Sequence, residues 1–112
     1  MVKIEAFLRP AALEQVQEAL AGLGIAGLSV LEVRGYARQR GPREVYRGAE
    51  YTVDFVPKIK VEVAVSDDAR QQAIDAIVEA AKTGQVGDGK VFVVPVSDAV
   101  RVRTGESGEG AL

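Results

Sequence analysis

Cysteine and histidine are both absent from the 112 residues. Without them the chain has no disulfide, no reactive thiol, no Cys/His zinc centre and no Ser-His-Asp triad. Neither sign of charge is in surplus, since 14 basic residues stand against 16 acidic ones. That balance gives no electrostatic case for a nucleic acid as principal partner. No apolar run reaches the length of a membrane span, and Met1-Val2-Lys3-Ile4-Glu5 lacks the apolar core of a signal peptide. A soluble, cytoplasmic chain is the expectation. What is present is an apolar share of 47%, too high for a disordered chain. The length suits a single domain, 1–112, with a real but modest core that oligomerisation would help.

Hydrophobic period gives the order of elements. Val2, Ile4, Ala6 and Leu8 alternate with Lys3 and Glu5, which predicts a half-buried strand. Pro10 suits the first turn of a helix, followed at helical spacing by Leu13, Val16, Leu20 and Leu23, with Gly24 as a C-terminal cap. A second strand is expected from Leu28 to Gly35. The third is clear, with Ile59, Val61, Val63 and Val65 alternating with Lys58, Lys60 and Glu62. Ser66, Asp67 and Asp68 offer an N-cap for a helix carrying Ala73, Ile74, Ile77, Val78 and Ala81, which Gly84 can end. Val91 to Val96 is a last full strand, placed at an edge or bulge by Pro95. A strand-like piece at Val100 to Arg103 precedes a flexible polar tail, about 104–112. The sequence predicts an α+β chain of the ferredoxin-like βαββαβ pattern. The pattern by itself names no function.

Two segments carry candidate chemistry. The first is the long polar loop expected between strands 2 and 3, about 37–57. It holds Arg38, Arg40, Arg43 and Arg47 with Tyr46 and Tyr51, residue types that binding surfaces favour. A loop of this length inside a compact domain is either functional or disordered. On composition alone, a solvated hairpin extension explains it equally well. The second segment is Thr83-Gly84-Gln85-Val86-Gly87-Asp88-Gly89-Lys90. Its glycines let backbone N–H groups approach phosphate oxygens, and Lys90 adds charge. The spacing nearly matches a P-loop, but Val91 stands in place of the Ser or Thr, and the flanking order is helix then strand rather than the reverse. A plain glycine-containing turn remains open.

Tyr46-Arg47-Gly48-Ala49-Glu50-Tyr51 resembles the signature hexapeptide of the PII family of nitrogen-signalling proteins. Thr83, three residues, then Gly87-Asp88-Gly89-Lys90-Val91-Phe92-Val93 resembles the family's second signature. The likeness runs from Lys3 to Leu112. It implies a homotrimeric sensor, not an enzyme, in which ATP or ADP lies between subunits. Gly87, Asp88, Gly89 and Lys90 would wrap the phosphates, with Ser29 and Arg38 in contact and Arg101 and Arg103 supplied by a neighbouring subunit. A spacing of two puts both guanidinium groups on one face of an extended segment.

The resemblance further implies that Gln39 coordinates Mg2+ and that Lys58 pairs with a carboxylate of 2-oxoglutarate. The long loop would be the family's T-loop, with Tyr51 modified by a uridylyl or adenylyl group. Partners would be an ammonium channel, which is the only link to a membrane, a nucleotidyltransferase, and enzymes of glutamine or arginine synthesis. The chain departs from the family pattern at several positions. Ser29 stands for a usual threonine and keeps the hydroxyl. Ala26 and Leu31 replace common threonines, Ala37 a usual glycine, and Pro42-Arg43 a His-Thr pair. Alternatives are a PII-like sensor of another metabolite, a slow ATP hydrolase with Asp88 or Glu62 as base, and a purely structural trimer.

Overall fold

The computed structural model describes residues 1–25, 27–36, 43–46, 49–52 and 55–112, of which 36, 43–46 and 49–52 are described by backbone alone. The elements run β1 (Val2–Leu8), α1 (Leu13–Gly22) entered through a 3-10 turn at Pro10–Ala12, β2 (Ser29–Tyr36), β3 (Arg43–Tyr46), β4 (Ala49–Thr52), β5 (Phe55–Val65), α2 (Arg70–Ala81) and β6 (Gly89–Pro95). Four of the strands form one antiparallel sheet in the order β2-β5-β1-β6. Both helices pack on one face, and the expected ferredoxin-like α+β architecture is present.

The period-two pattern of β1 and β5 decides which face is covered. Val2, Ile4, Ala6 and Leu8 meet Ile59, Val61, Val63 and Val65 on the helix side, and Val16, Leu20, Ala73, Ile77 and Ala81 close the core over them. Burying each of the larger chains contributes about 1.5–3 kcal/mol. Leu23 and Val78, expected in the core, are 43% and 45% exposed at the margins of their helices. Among the described residues, the opposite sheet face carries no helix. There Lys3 and Lys60 pair with Glu5 at 3.0 and 3.4 Å, Lys60 meets Glu62 at 2.8 Å, and Phe7 packs edge-on to Phe92.

The strands of the main sheet reach further into the expected loop than its composition suggests. β2 runs on to Tyr36 and β5 begins at Phe55, in register with each other. Between them β3 and β4 pair as a two-stranded ladder, with Glu44 opposite Tyr51. Pro57, expected in the loop, lies inside β5. It is tolerated because β1 ends at Leu8 opposite Ile59, so β5 has no β1 partner at residue 57 to demand an N–H.

The C-terminal piece also differs from expectation. Val100 to Arg103 is not a strand. The Arg101 N–H donates to the Glu106 oxygen at 2.8 Å and the Gly105 N–H to the Arg101 oxygen at 2.8 Å, so the two arginines sit in a tight turn. Gly105, at φ +73°, and the Thr104 hydroxyl, which accepts from the Glu106 N–H, bend the chain there. Residues 108–111 then form a 3-10 turn.

Gly89 is the most tightly enclosed of the described glycines. A Cβ built there would lie 1.8 Å from the Phe7 main-chain oxygen, and its φ of +114° disfavours any L side chain. Gly89→Ala is expected to destabilise the fold by roughly 3 kcal/mol or more, combining backbone strain and overpacking. A denaturant titration showing an unchanged midpoint would contradict this account of the β1–β6 junction.

Candidate functional site

Strand register brings three separate chemistries to one end of the sheet. Leu8 pairs with both Gly89 and Ile59, so the next residue along, Arg9, emerges beside Asp88 and Lys58. Tyr36 and Phe55, the roots of the long loop, form the last pair of β2 and β5 at the same end. The glycine-rich segment, two cations and the loop's base therefore share a neighbourhood for a purely topological reason.

The glycine segment is held from inside. The Asp88 carboxylate accepts the Thr83 hydroxyl at Oδ1. Its Oδ2 accepts the N–H groups of Thr83 and Gly84 at 2.8 and 2.9 Å. The Gln85 N–H in turn donates to the Thr83 hydroxyl oxygen at 3.2 Å. Gly84, Gly87 and Gly89 all have positive φ, which gives the segment its curled path.

Two cations grip the outside of the same segment. Arg9 Nη2 donates to the Val86 oxygen at 2.7 Å, and Lys58 Nζ donates to the Gly87 oxygen. Arg9 Nε lies 3.4 Å from Asp88 Oδ1, near enough for an ion pair but not aligned as a hydrogen bond. A Cβ on Gly87 would come within 3.1 Å of Arg9 Nη2 and 3.7 Å of Lys58 Nζ, so the cations sit against bare backbone. Partial burial, then the nearby Arg9 charge, lower the pKa of Lys58, and Asp88 opposes them. A groove of about 440 Å³ lined by Pro10, Glu32, Arg34, Pro57 and Lys58 opens beside this end.

The residues expected from the sequence divide into three sets. Gly87, Asp88, Gly89, Lys90 and Lys58 are brought together at the site. Lys90 stands exposed opposite Phe7, toward the uncovered face of the sheet. Ser29 is at the far end of β2 from Tyr36, opposite Glu62. Arg101 and Arg103 follow β6, whose last residue, Pro95, pairs with Val2 at the opposite end of the sheet. Arg101 there faces Glu106 at 3.4 Å and the Leu112 oxygen at 3.2 Å. Arg38 and Gln39 lie outside the described residues, as do Ala26, Ala37 and Pro42. Tyr51 is in β4, described by backbone only.

Arg9 was not singled out by the sequence. Its one signal was its place directly after the first strand, which has meaning only once the register is known. Asp88 and Glu62, the candidate bases of a hydrolase, are both engaged by cations or donors, and the low pKa of Asp88 makes it a poor proton acceptor near neutrality.

A family profile described as Nitrogen regulatory protein P-II matches residues 1–106. The chain belongs to the P-II family. Relatives named Nitrogen regulatory protein P-II from Cereibacter sphaeroides, Haemophilus influenzae and Azospirillum brasilense are each 54% identical over 112 residues, the whole of both chains. A crystal structure of Arabidopsis thaliana PII, described as bound to citrate, superposes with a TM-score of 0.83 at 43% identity, covering 99% of this chain and 91% of that one. P-II proteins are regulators of nitrogen metabolism, and this chain shares that broad role. Among the described residues no helix is long and apolar enough to cross a membrane.

The acid side of the Asp88 titration tests the inner brace. The Thr83 hydroxyl first, then the Thr83 and Gly84 amides and Arg9, hold its carboxyl down to about 2. A depressed carboxyl stabilises the fold above its unfolded pKa, roughly 4, and that contribution is lost as pH falls toward 2. The gap in stability between wild type and Asp88→Asn should therefore be constant above about pH 5 and shrink below about pH 4. Denaturant titrations across that range measure it, and a gap that stayed constant into acid would remove the brace from the account.

Proposed function

We propose that this P-II protein senses nitrogen and energy status by binding ATP or ADP on the Gly87–Lys90 segment and 2-oxoglutarate beside Lys58, and that it reports through its T-loop. The observation that carries the proposal is the meeting of Arg9, Lys58 and the glycine segment at the root of the long loop. Curled backbone at positive-φ glycines suits phosphate oxygens. Two adjacent cations suit a small dicarboxylate, since each neutralises one charge and relieves the repulsion between them. The citrate of the Arabidopsis relative is a polycarboxylate, a ligand of the same chemical class.

Mg2+ fits this donor chemistry in a limited way. Among the described residues no cluster of three or more acidic side chains gathers. The proposal therefore has the ion held mainly by phosphate and acid oxygens, with Gln39 as the protein ligand, a division Mg2+ commonly accepts. When bound, the ion would supply positive charge that offsets the phosphate and carboxylate oxygens. Lys58 and Arg9 would exchange the Val86 and Gly87 carbonyls for the acid's carboxylate. That exchange happens at the base of β2 and β5, so it biases the conformation of residues 37–54.

The uncovered sheet face supports a homotrimer. Leu31 and Phe92 are 44% and 50% exposed there, beside the Lys3–Glu5–Lys60–Glu62 ion pairs. A neighbouring copy on that face would also deliver Arg101 and Arg103, which one chain holds away from its own glycine segment. The partners proposed are a nitrogen-status nucleotidyltransferase acting on Tyr51, an ammonium channel, and enzymes of nitrogen assimilation, in the cytoplasm.

Calorimetry tests the core of this. ATP affinity should rise when 2-oxoglutarate and Mg2+ are both supplied, and Lys58→Ala should abolish that rise while leaving ATP binding itself within about threefold, less than the ~10-fold worth of 1.4 kcal/mol. Lys90→Ala and Arg101→Ala should each weaken ATP by roughly tenfold, the scale of a lost charge-assisted contact. ATP affinity indifferent to the acid would overturn the sensor reading.

A further inference from the structure

We propose that Asp88 is a positioning residue that joins the glycine segment to the Arg9–Lys58 cation pair, with the Thr83 hydroxyl holding its carboxylate in place. The proposal rests on the nucleotide reading of that segment and gives Asp88 a role other than touching the ligand.

Three observations argue for this role. Both oxygens are already engaged, one by the Thr83 hydroxyl and Arg9, the other by the Thr83 and Gly84 amides. A carboxylate turned outward would repel a polyphosphate, whereas this one is folded back and partly neutralised by Arg9. The amides of Thr83, Gly84 and Gln85 are consumed internally, so the first half of the segment is a built turn, and only its later backbone is left to face a ligand.

The second half of the proposal concerns Arg9. Its guanidinium spans two acceptors of one segment, with Nε toward Asp88 at 3.4 Å and Nη2 on the Val86 oxygen at 2.7 Å. Arg9 and Lys58 repel each other at this range, and Asp88 is the charge that offsets the repulsion. Removing that charge leaves two cations side by side with only carbonyl oxygens between them. Arg9 then has reason to swing into solvent, and the acid loses one of its two counter-ions. Asp88 is thus a joint. One limb, through Thr83, shapes the nucleotide segment. The other, through Arg9, shapes the carboxylate end.

Thr83 separates these limbs experimentally. Valine matches threonine in shape but lacks the hydroxyl, while serine keeps it. Wild type, Thr83→Val, Thr83→Ser and Asp88→Asn would be titrated with ATP, and then with 2-oxoglutarate at saturating Mg-ATP. Thr83→Val and Asp88→Asn should weaken ATP by roughly tenfold, with Thr83→Ser within about twofold of wild type. Asp88→Asn should in addition weaken 2-oxoglutarate at least ~10-fold through Arg9.

The ¹³C shift of the Asp88 carboxyl reports whether the Thr83 hydroxyl holds the carboxylate, and the loss of 2-oxoglutarate affinity in Asp88→Asn at saturating Mg-ATP is the readout that a merely structural role would leave unmoved. At about pH 3.5 it should report an ionised group in wild type and Thr83→Ser, and a partly protonated one in Thr83→Val. Equal ATP affinities across the set, or an Asp88 titration that ignores the Thr83→Val change, would overturn the proposal while leaving the nucleotide site standing. Failure of the wild type itself to bind ATP would overturn both.

Discussion

No atom fits between Gly89 and the carbonyl of Phe7, and that close approach sets where everything functional falls. The ideal Cβ position at residue 89 is only 1.8 Å from that oxygen. β6 therefore enters the sheet at this one residue, with Leu8 opposite, and β5 is locked to the same partner through Ile59. Because β1 is the shared neighbour, a single register places Arg9, Asp88 and Lys58 side by side. A slip of one residue would turn the core face of β6 outward and carry the glycine segment away from both cations.

The charge arrangement at that end is unfavourable on its own terms. Two cations converge on a partly desolvated backbone, with one carboxylate between them. Burial and the Arg9 charge depress the Lys58 pKa, and Asp88 only partly compensates. The carbonyls of Val86 and Gly87 supply the rest of the compensation through lone pairs rather than net charge. Such a cluster is incompletely neutralised, and an arriving dianion improves it. That surplus of positive charge is what motivates the acidic ligand proposed above.

The fold was largely legible in the sequence, and the site only in pieces. Period two in β1 and β5 was strict because one sheet face is buried, so Val2–Leu8 was readable to its ends. β2 was less clear because it is an edge strand with Val30 and Leu31 both largely exposed. The extension of β5 back to Phe55 was hidden by Pro57, which reads as a loop residue until β1 is known to stop short of it. The hairpin of β3 and β4 matches one of the two readings that the loop's composition left open. At the site, glycine and lysine spacing pointed to the 84–90 segment, and resemblance singled out Lys58. Arg9 carried no local signal. Its importance is a consequence of register, a long-range property that neither composition nor spacing encodes. Asp88 was legible as part of a motif, but the direction of its carboxylate was not.

Two of the eight proposed nucleotide contacts, those of Arg101 and Arg103, lie away from the glycine segment of their own chain, and the reason is again the sheet. β6 leads away from the glycine segment, and Arg101 and Arg103 follow its far end. The turn that carries them is well tied, by main-chain hydrogen bonds between Arg101 and Glu106 and by the Gly108 N–H on the Ala99 oxygen. Those bonds close the turn on itself, and the length of β6 separates it from the glycine segment. Val102, between the two arginines, is 100% exposed, and Phe92, Val94 and Leu31 lie open on the unhelical face. An apolar, ion-paired sheet face and a displaced pair of arginines are separate features of the monomer. A neighbouring copy set against that face would cover the first and give a use to the second, so the two features have one economical explanation. Under the proposed function the glycine segment would then be a half-site completed by assembly, and the loop rooted beside it would answer to ligand and to assembly at once.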